Sequence, residues 1–406
     1  MDAVQTQSTD AIMRPGTVCP GTGISGISAL APLLLLVSLL SFQPASAQSV
    51  EFKGELSSSV MANDADSFSV HCSARYLPEI FCSIPWARSN SIDLNCSLEA
   101  SSRLAADSFD EYESRSDLEF YRMWLRVQSA RTELRIGLQK INFGSATLIR
   151  PLMWFDNIDR RDPLRISEGV WGVLARYYFA GNANIWAWGL LGNEDPKGWE
   201  RIPTDGNEPE YGGRLQVPLP RGECGFSYHH RSIDMGELRL PLVSPVDSDS
   251  GEDRFGFDAR WDVSVGLWAE ASLVHRQSGM VPVRYQHLLT VGADYTFDIG
   301  QGLTVLVEQF RSLSSDEMFG TGQSYDLTGM SLTWPRDVLD TVSAIFYYDH
   351  TADDFYGFLD WMRRYDHWSI HLIGFANPDG AGLSFADVQG GSLAGNGAQI
   401  LVVFNH

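Results

Sequence analysis

The sequence predicts an all-β fold: a transmembrane, antiparallel, up-and-down β-barrel of 16 to 18 strands, with eighteen the number its pattern marks out. Three observations predict it. Runs of alternating apolar and polar residues, about ten long, recur from residue 48 to the last residue, which is the signature of strands that meet two different solvents. Short and long links between these runs alternate, as they must when every second turn lies on the same side of a membrane. Aromatic residues gather near the ends of the runs, in the apolar register. No segment after residue 47 approaches the ~18 to 20 consecutive apolar residues of a membrane helix, so a place in a membrane requires a closed barrel.

The first element is a leader. Ala29 to Phe42 reads ALAPLLLLVSLLSF and is followed by Ala45-Ser46-Ala47, an apolar run ahead of a small-x-small cleavage pattern. Residues 1–47 are therefore expected to be a secretory signal peptide, and a start at Met13 would give it Arg14 as its basic end. Residues 48–406 show no linker or composition shift and are read as one domain. The full chain carries a formal charge of −21, and the leader contributes only Asp2, Asp10 and Arg14 to it. So acidic a chain is a poor match for nucleic acid.

The strands centre on Phe52, Val70, Leu94, Met123, Ile136, Val173, Trp186, Leu215, Phe226, Phe257, Leu267, Val291, Val305, Met330, Ala344, Leu359, Ile370 and Val402. The hairpin RMWLRVQSARTELRIGLQK, from Arg122 to Lys140, shows the logic. Arg122, Trp124 and Arg126 alternate with Met123, Leu125 and Val127, and after Ala130 Glu133 and Arg135 alternate with Leu134 and Ile136. One face is apolar and the other polar. Five cations fall within this hairpin of an acidic chain, which an aqueous lumen would explain.

Short links are expected at 129–131, 181–183, 220–222, 262–263, 298–300 and 365–366, and longer ones at 141–168, 194–208, 234–252, 277–284, 312–322 and 378–395. In a barrel with both ends in the periplasm, the short turns are periplasmic and the long loops external. The segment 77–90, with Pro78 and Pro85, reads as a longer link in the first hairpins. Trp171, Tyr177, Phe179, Trp186, Trp188, Phe255, Phe257, Trp261, Tyr295, Phe297, Trp334, Trp361 and Trp368 supply the aromatic girdles, where indole and phenol rings favour the membrane boundary.

Over residues 48–406 the chain resembles the porin-like outer-membrane proteins of Gram-negative bacteria, including the apolar final strand from Ala398 to Phe404. A local likeness lies in Gly137-x-Gln139-x-x-Asn142-Phe143-Gly144, running into RPLMWFDNIDRRDP (Arg150 to Pro163). It looks like the strand-to-loop junction of substrate-specific porins and polysaccharide-export-type channels, where the loop folds inward. The resemblance implies an outer-membrane location, a channel for passive diffusion of small hydrophilic solutes, and no cofactor. Its implied partners are outer-membrane lipid and lipopolysaccharide, the barrel assembly machinery and further copies of itself.

With the apolar register outward, Arg122, Arg126, Arg135, Arg176 and Arg214 line one wall of the lumen. Asp258, Glu270, Asp294, Glu308 and Asp360 line the other, with Arg254, Arg260 and Arg276 among them. A cationic wall opposite a more acidic one would set a transverse field across the bore; local pairing, such as Glu133 with Arg135, would instead only hydrate the wall. The loop 141–168 is the expected constriction. It is apolar for an outer loop (Ile141, Phe143, Leu148, Ile149, Leu152, Met153, Trp154, Phe155, Ile158) and would bring Arg150, Arg160, Arg161 and Arg165 into the bore with Asp156, Asp159 and Asp162.

Other loops are acidic, at 107–111, 193–195, 247–253 and 353–354. The third has carboxylates at alternate positions but Glu252 where a Ca²⁺ loop needs glycine, and it reads as solvated. Cys72 and Cys96 would face each other if a hairpin turned about residue 84, either as a disulfide or as two small apolar residues. No Gly-x-Ser-x-Gly, His-Glu-x-x-His or Cys-x-x-Cys pattern is present, so no metal and no catalytic residue is assigned. Ser369 and His371 share a strand face and are read as lumen or interface residues. The reading is a channel and not an enzyme, with a structural or receptor barrel and a barrel hydrolase as the alternatives.

Overall fold

The computed structural model describes residues 49–65, 67–108, 111–234, 249–277, 283–378 and 393–406. The segment read as a signal peptide lies outside the described residues. Eighteen strands follow in order: β1 (Ser49–Asp64), β2 (Phe68–Ala87), β3 (Asn90–Ser108), β4 (Glu111–Gln128), β5 (Thr132–Gln139), β6 (Val170–Tyr178), β7 (Asn184–Leu190), β8 (Glu210–Leu219) and β9 (Gly222–Asp234). They continue as β10 (Asp249–Asp262), β11 (Gly266–Arg276), β12 (Tyr285–Phe297), β13 (Leu303–Ser315), β14 (Gln323–Pro335), β15 (Asp340–Asp349), β16 (Asp354–Arg364), β17 (Trp368–Ala376) and β18 (Asn396–Asn405). Each expected strand centre falls inside one of them. No helix occurs among the described residues.

Every strand pairs antiparallel with its neighbours in sequence, and β18 closes on β1 from Glu55↔Asn405 to Asn63↔Gly397. The fold is a closed up-and-down barrel with no free sheet edge around its girth. His406 extends the seam, since Gly54 and His406 exchange two backbone hydrogen bonds of 3.1 and 3.0 Å. One end carries the short turns, and the other carries the long links.

Period-two burial holds along the strands. On β5, Leu134 and Ile136 face outward while Glu133 is buried. On β4, Leu125 and Val127 face outward between inward Arg126 and Gln128. Above them the ladder shifts, pairing Ser97 with Arg122 but Leu98 with Phe120, so Tyr121 is a bulge. One extra residue reverses the side-chain parity, which keeps Leu118 and Phe120 outward as well. The outer surface is thus a continuous apolar belt that only hydrocarbon covers without cost.

Three expectations change. The segment 77–90 is not a loop, because β2 runs through both prolines to Ala87. Its ladder to β3 lapses only at Leu77 and Pro78 and bulges after Pro85, where a proline has no N–H to donate. The hairpin therefore turns at Arg88-Ser89 and not near residue 84. That register sets Cys72 opposite Leu104 and Cys96 opposite Ile80, and Cys72, Cys82, Cys96 and Cys224 are all free thiols. Finally, the acidic run 247–253 is not all loop: β10 begins at Asp249, Glu252 is fully buried on it, and Asp247 and Ser248 lie outside the described residues.

Candidate constriction and solute path

The link between β5 and β6, residues 140–169, folds into the bore. Its entry uses the motif seen in the sequence. Gln139 donates to the Gly172 carbonyl at 3.0 Å, and Asn142 accepts from Arg150 at 2.6 Å. Gly144 has φ 107°, and a Cβ there would stand 2.4 Å from Glu270 Oε2. Only glycine allows both the turn and the approach.

Two glutamates on the barrel wall hold the loop. Glu270 accepts the backbone N–H of Ala146 at 2.8 Å and of Leu152 at 2.7 Å. Glu308 accepts those of Thr147, Leu148 and Ile149 at 2.6, 2.9 and 2.7 Å, together with Trp268 Nε1 at 2.9 Å. Thr290 returns a bond to the Ile149 carbonyl at 2.7 Å. A loop inside a barrel would otherwise bury unpaired amides, and charge-assisted bonds to a carboxylate are the stronger kind.

Apolar packing adds to this. Leu148, Ile149 and Met153 join Trp268, Leu288, Leu306, Phe310, Leu327 and Tyr347 in one buried cluster. Phe143, Leu152, Trp154 and Phe155 join Leu174 and Trp188 in another. The loop therefore lies against the β11–β17 and β6–β7 walls.

A second loop goes in as well. The link 194–208 is predicted to lie outside, yet Trp199 stacks on Phe310 with ring centroids 4.7 Å apart and donates to the Arg150 carbonyl at 2.9 Å. Lys197 pairs with Glu168 at 2.7 Å. Glu200 pairs with Arg254 at 2.6 Å and Arg231 at 3.3 Å. Glu252 lies among Arg231, Arg254 and Arg276 at 2.7, 2.6 and 2.7 Å, a buried cluster in which three guanidinium groups need two carboxylates. The sequence signal for it was present but diluted: arginine at alternate positions in neighbouring strands.

The residues expected in the bore fall as follows. Arg126 pairs with buried Asp93 at 2.9 Å, and Arg135 pairs with Glu133 at 2.8 Å. Arg176 lies 3.6 Å from Glu133 and over the Trp186 ring at 3.9 Å. Arg122 donates to the Ser167 carbonyl at 2.5 Å. Arg214 and Asp258, expected on different walls, form a buried pair at 2.6 Å across β8 to β10. Asp294 reaches Arg260 at 3.3 Å, and Asp360 reaches His371 at 3.0 Å. Within the loop, Arg150 pairs with Asp156 at 2.9 Å and Arg161 with Asp159 at 2.9 Å. Arg165 adopts φ 47° and is exposed. Burial pushes the Asp162 carboxyl up and the Arg160 guanidinium down from their ordinary values.

The inward faces of β1–β3 are mostly small and polar, although Met61 on β1 joins the loop's buried cluster and Phe81 on β2 meets the Trp124 ring. Ser57, Ser59, Asn63, Ser69, Ser73, Arg75, Asp93, Asn95 and Ser97 line them, and Arg75 reaches Glu55 at 2.9 Å. The alternate serines of these strands were the signal for this wall, and they carried no charge to draw attention.

No protein-family model and no curated protein matches the chain. Solved structures do. OccAB4 of Acinetobacter baumannii matches with 8% identity over 89% of this chain and 99% of that one, at TM-score 0.55. OccK5 (OpdH) of Pseudomonas aeruginosa matches with 10% identity over 88% and 98%, at 0.54. OccK7 (OpdD) of the same organism matches with 11% identity over 88% and 99%, at 0.53. At such identities the likeness is one of fold.

Proposed function

We propose, on the premise that this chain is a porin-like outer-membrane β-barrel, that it is a channel for passive diffusion of small hydrophilic solutes. One observation carries the reading. The inward loop is fixed to one side of the bore by five backbone bonds to Glu270 and Glu308, and the side it leaves is walled by serine, asparagine and charged groups. A folded-in loop that narrows a bore without replacing its polar lining is a filter for hydrated solutes.

The narrow region selects by charge. Arg75, Arg122, Arg126, Arg135 and Arg176 face the bore from β2 to β6; Glu55, Asp93 and Glu133 pair with four of them, while Glu79, bonded to Asn95 at 2.9 Å, and Glu99 share that inward register. Arg122, held by the Ser167 carbonyl, supports a cationic wall. On the far side Asp294 and Asp360 support an acidic one, while Asp258, Glu270 and Glu308 are engaged by Arg214 and by loop amides. The resulting field favours small anions over cations.

Residues 1–47 direct export and are removed. The short turns face the periplasm and the long links the exterior. The apolar belt meets lipid and lipopolysaccharide, β18 presents its outward Ile400, Val402 and Phe404 to the barrel assembly machinery, and further copies associate through the belt. Passage itself needs no chemistry and no cofactor.

Planar-bilayer recording of the refolded chain tests the proposal. Discrete open levels with anion preference are expected. A silent bilayer from correctly folded protein overturns the channel, and cation preference overturns the charge assignment.

A further inference from the structure

Solute passage makes no use of one arrangement on the β16–β17 wall. Ser369 and His371 are two residues apart on β17 and share its inward face. Ser369 Oγ lies 3.4 Å from His371 Nε2. The other ring nitrogen, Nδ1, lies 3.0 Å from Asp360 Oδ2 and 3.2 Å from Oδ1, and Asp360 is on the inward face of the neighbouring strand. When Nδ1–H donates to the carboxylate, Nε2 keeps a lone pair directed at the hydroxyl. This is the connectivity of a serine–histidine–acid relay, recognised by geometry and not by position in the chain. A 3.4 Å contact is within the range that tightens once a substrate is bound.

A fourth group completes it. Arg364 is directly opposite Ser369 in the ladder, in the same inward register as Asp360, and it is exposed. The backbone amides of β16 and β17 are taken by the sheet, so the Arg364 guanidinium, which contacts Met362 Sδ at 3.8 Å on the same face, is the group that would turn to meet developing negative charge. His371 is buried while Ser369 is partly exposed to the bore, which places the base out of water and the nucleophile within reach of a solute.

We infer that Ser369 and His371 are the nucleophile and general base of a hydrolytic site in the bore wall, held in register by Asp360 as positioning residue, and that the site cleaves small esters. Ser369 Oγ attacks the ester carbonyl carbon as Nε2 takes the hydroxyl proton, and the carbonyl electron pair moves onto the oxygen beside Arg364. Collapse breaks the ester C–O bond, and the departing alcohol takes the proton from Nε2. Water, deprotonated by the same nitrogen, then attacks the acyl-serine, releases the carboxylic acid and restores the hydroxyl. Water is the only co-reactant.

The test uses the refolded full chain in detergent, with a fluorophosphonate probe and p-nitrophenyl acetate, on samples whose folding is checked by heat-modifiable gel mobility. One probe per chain, located on Ser369 by peptide mass, is expected, with none on Ser369→Ala. Asp360→Asn should slow labelling by about 10²- to 10⁴-fold, because the wrong tautomer then faces the serine, and Asp360→Glu should restore part of the rate. Wild-type labelling no greater than that of Ser369→Ala, or equal rates in wild type and Asp360→Asn, overturns the site. Conductance measured on the same sample separates the two proposals: labelled but silent protein removes the channel and leaves the site, and conducting but unlabelled protein does the reverse.

Discussion

Glu308 and Ile149 are 159 residues apart in the chain and are joined by a 2.7 Å hydrogen bond from the Ile149 amide to the Glu308 carboxylate. Two further loop amides and one indole converge on the same carboxylate. Glu308→Ala strands these donors in a dry site, at about 1 to 3 kcal/mol for each group left unsatisfied. Glu308→Gln keeps an acceptor and should cost less. Hydrogen exchange at Thr147, Leu148 and Ile149 should accelerate strongly in the alanine variant and weakly in the glutamine variant. Equal protection in both would mean that apolar packing alone seats the loop.

The hairpin of β4 and β5 offers an opposed pair. Leu125 faces lipid, and Leu125→Arg should cost ~2 to 4 kcal/mol at mid-membrane depth. It should cut folding yield into vesicles and leave the ion preference of the folded fraction unchanged. Arg126 faces the bore and pairs with Asp93, so Arg126→Gln exposes that carboxylate, and the ion preference should move toward cations while folding persists. Reversal of these two outcomes would invert the facing of the whole wall.

Orientation follows from the two kinds of link. A protease site inserted at Ala352, between β15 and β16, should be cut on intact cells. One inserted at Ala130 should resist until the outer membrane is permeabilised. Cleavage in the opposite pattern would turn the barrel over.

The turn between β14 and β15 gives a pH dependence. Asp337 accepts the amides of Leu339 at 2.8 Å and Asp340 at 3.0 Å, and these bonds hold its carboxyl below the ordinary aspartate value. A carboxyl lowered in the folded state binds its proton later than in the unfolded state, so its contribution is present above the ordinary value and lost as pH falls through the lowered one. Amide exchange at Leu339 and Asp340 should rise over that acid interval in wild type. Asp337→Asn should show a flat response.

All eighteen strands were legible because a period of two repeats in each, and a barrel asks little more of its sequence than that. The inward course of residues 141–168 was legible for a similar reason, since nine apolar side chains in one loop have nowhere else to go. The second inward loop was not. Trp199 and Ile202 sit among charged and polar neighbours, and what pulls them in is Glu200 meeting Arg231 and Arg254 on the paired strands β9 and β10, whose register the sequence does not display. The same holds for Arg214 and Asp258. Facing can be read along a strand, but pairing across strands depends on register, and the turn at Arg88-Ser89 shows how a few residues' error moves a cysteine from one partner to another.

The anchoring of residues 140–169 also orders events in time. The loop is made before β11, β12 and β13, yet Glu270, Thr290 and Glu308 stand on those strands, so β6 and β7 can hold only part of it until the chain beyond residue 300 is in place. Contacts of such long sequence separation are slow to form. Once β18 has closed on β1, the mouth at the long-link end is the loop's way into the bore. Seating of the constriction therefore waits on assembly of the far wall, and a chain stalled before β13 would hold an open sheet with its most apolar loop only half seated.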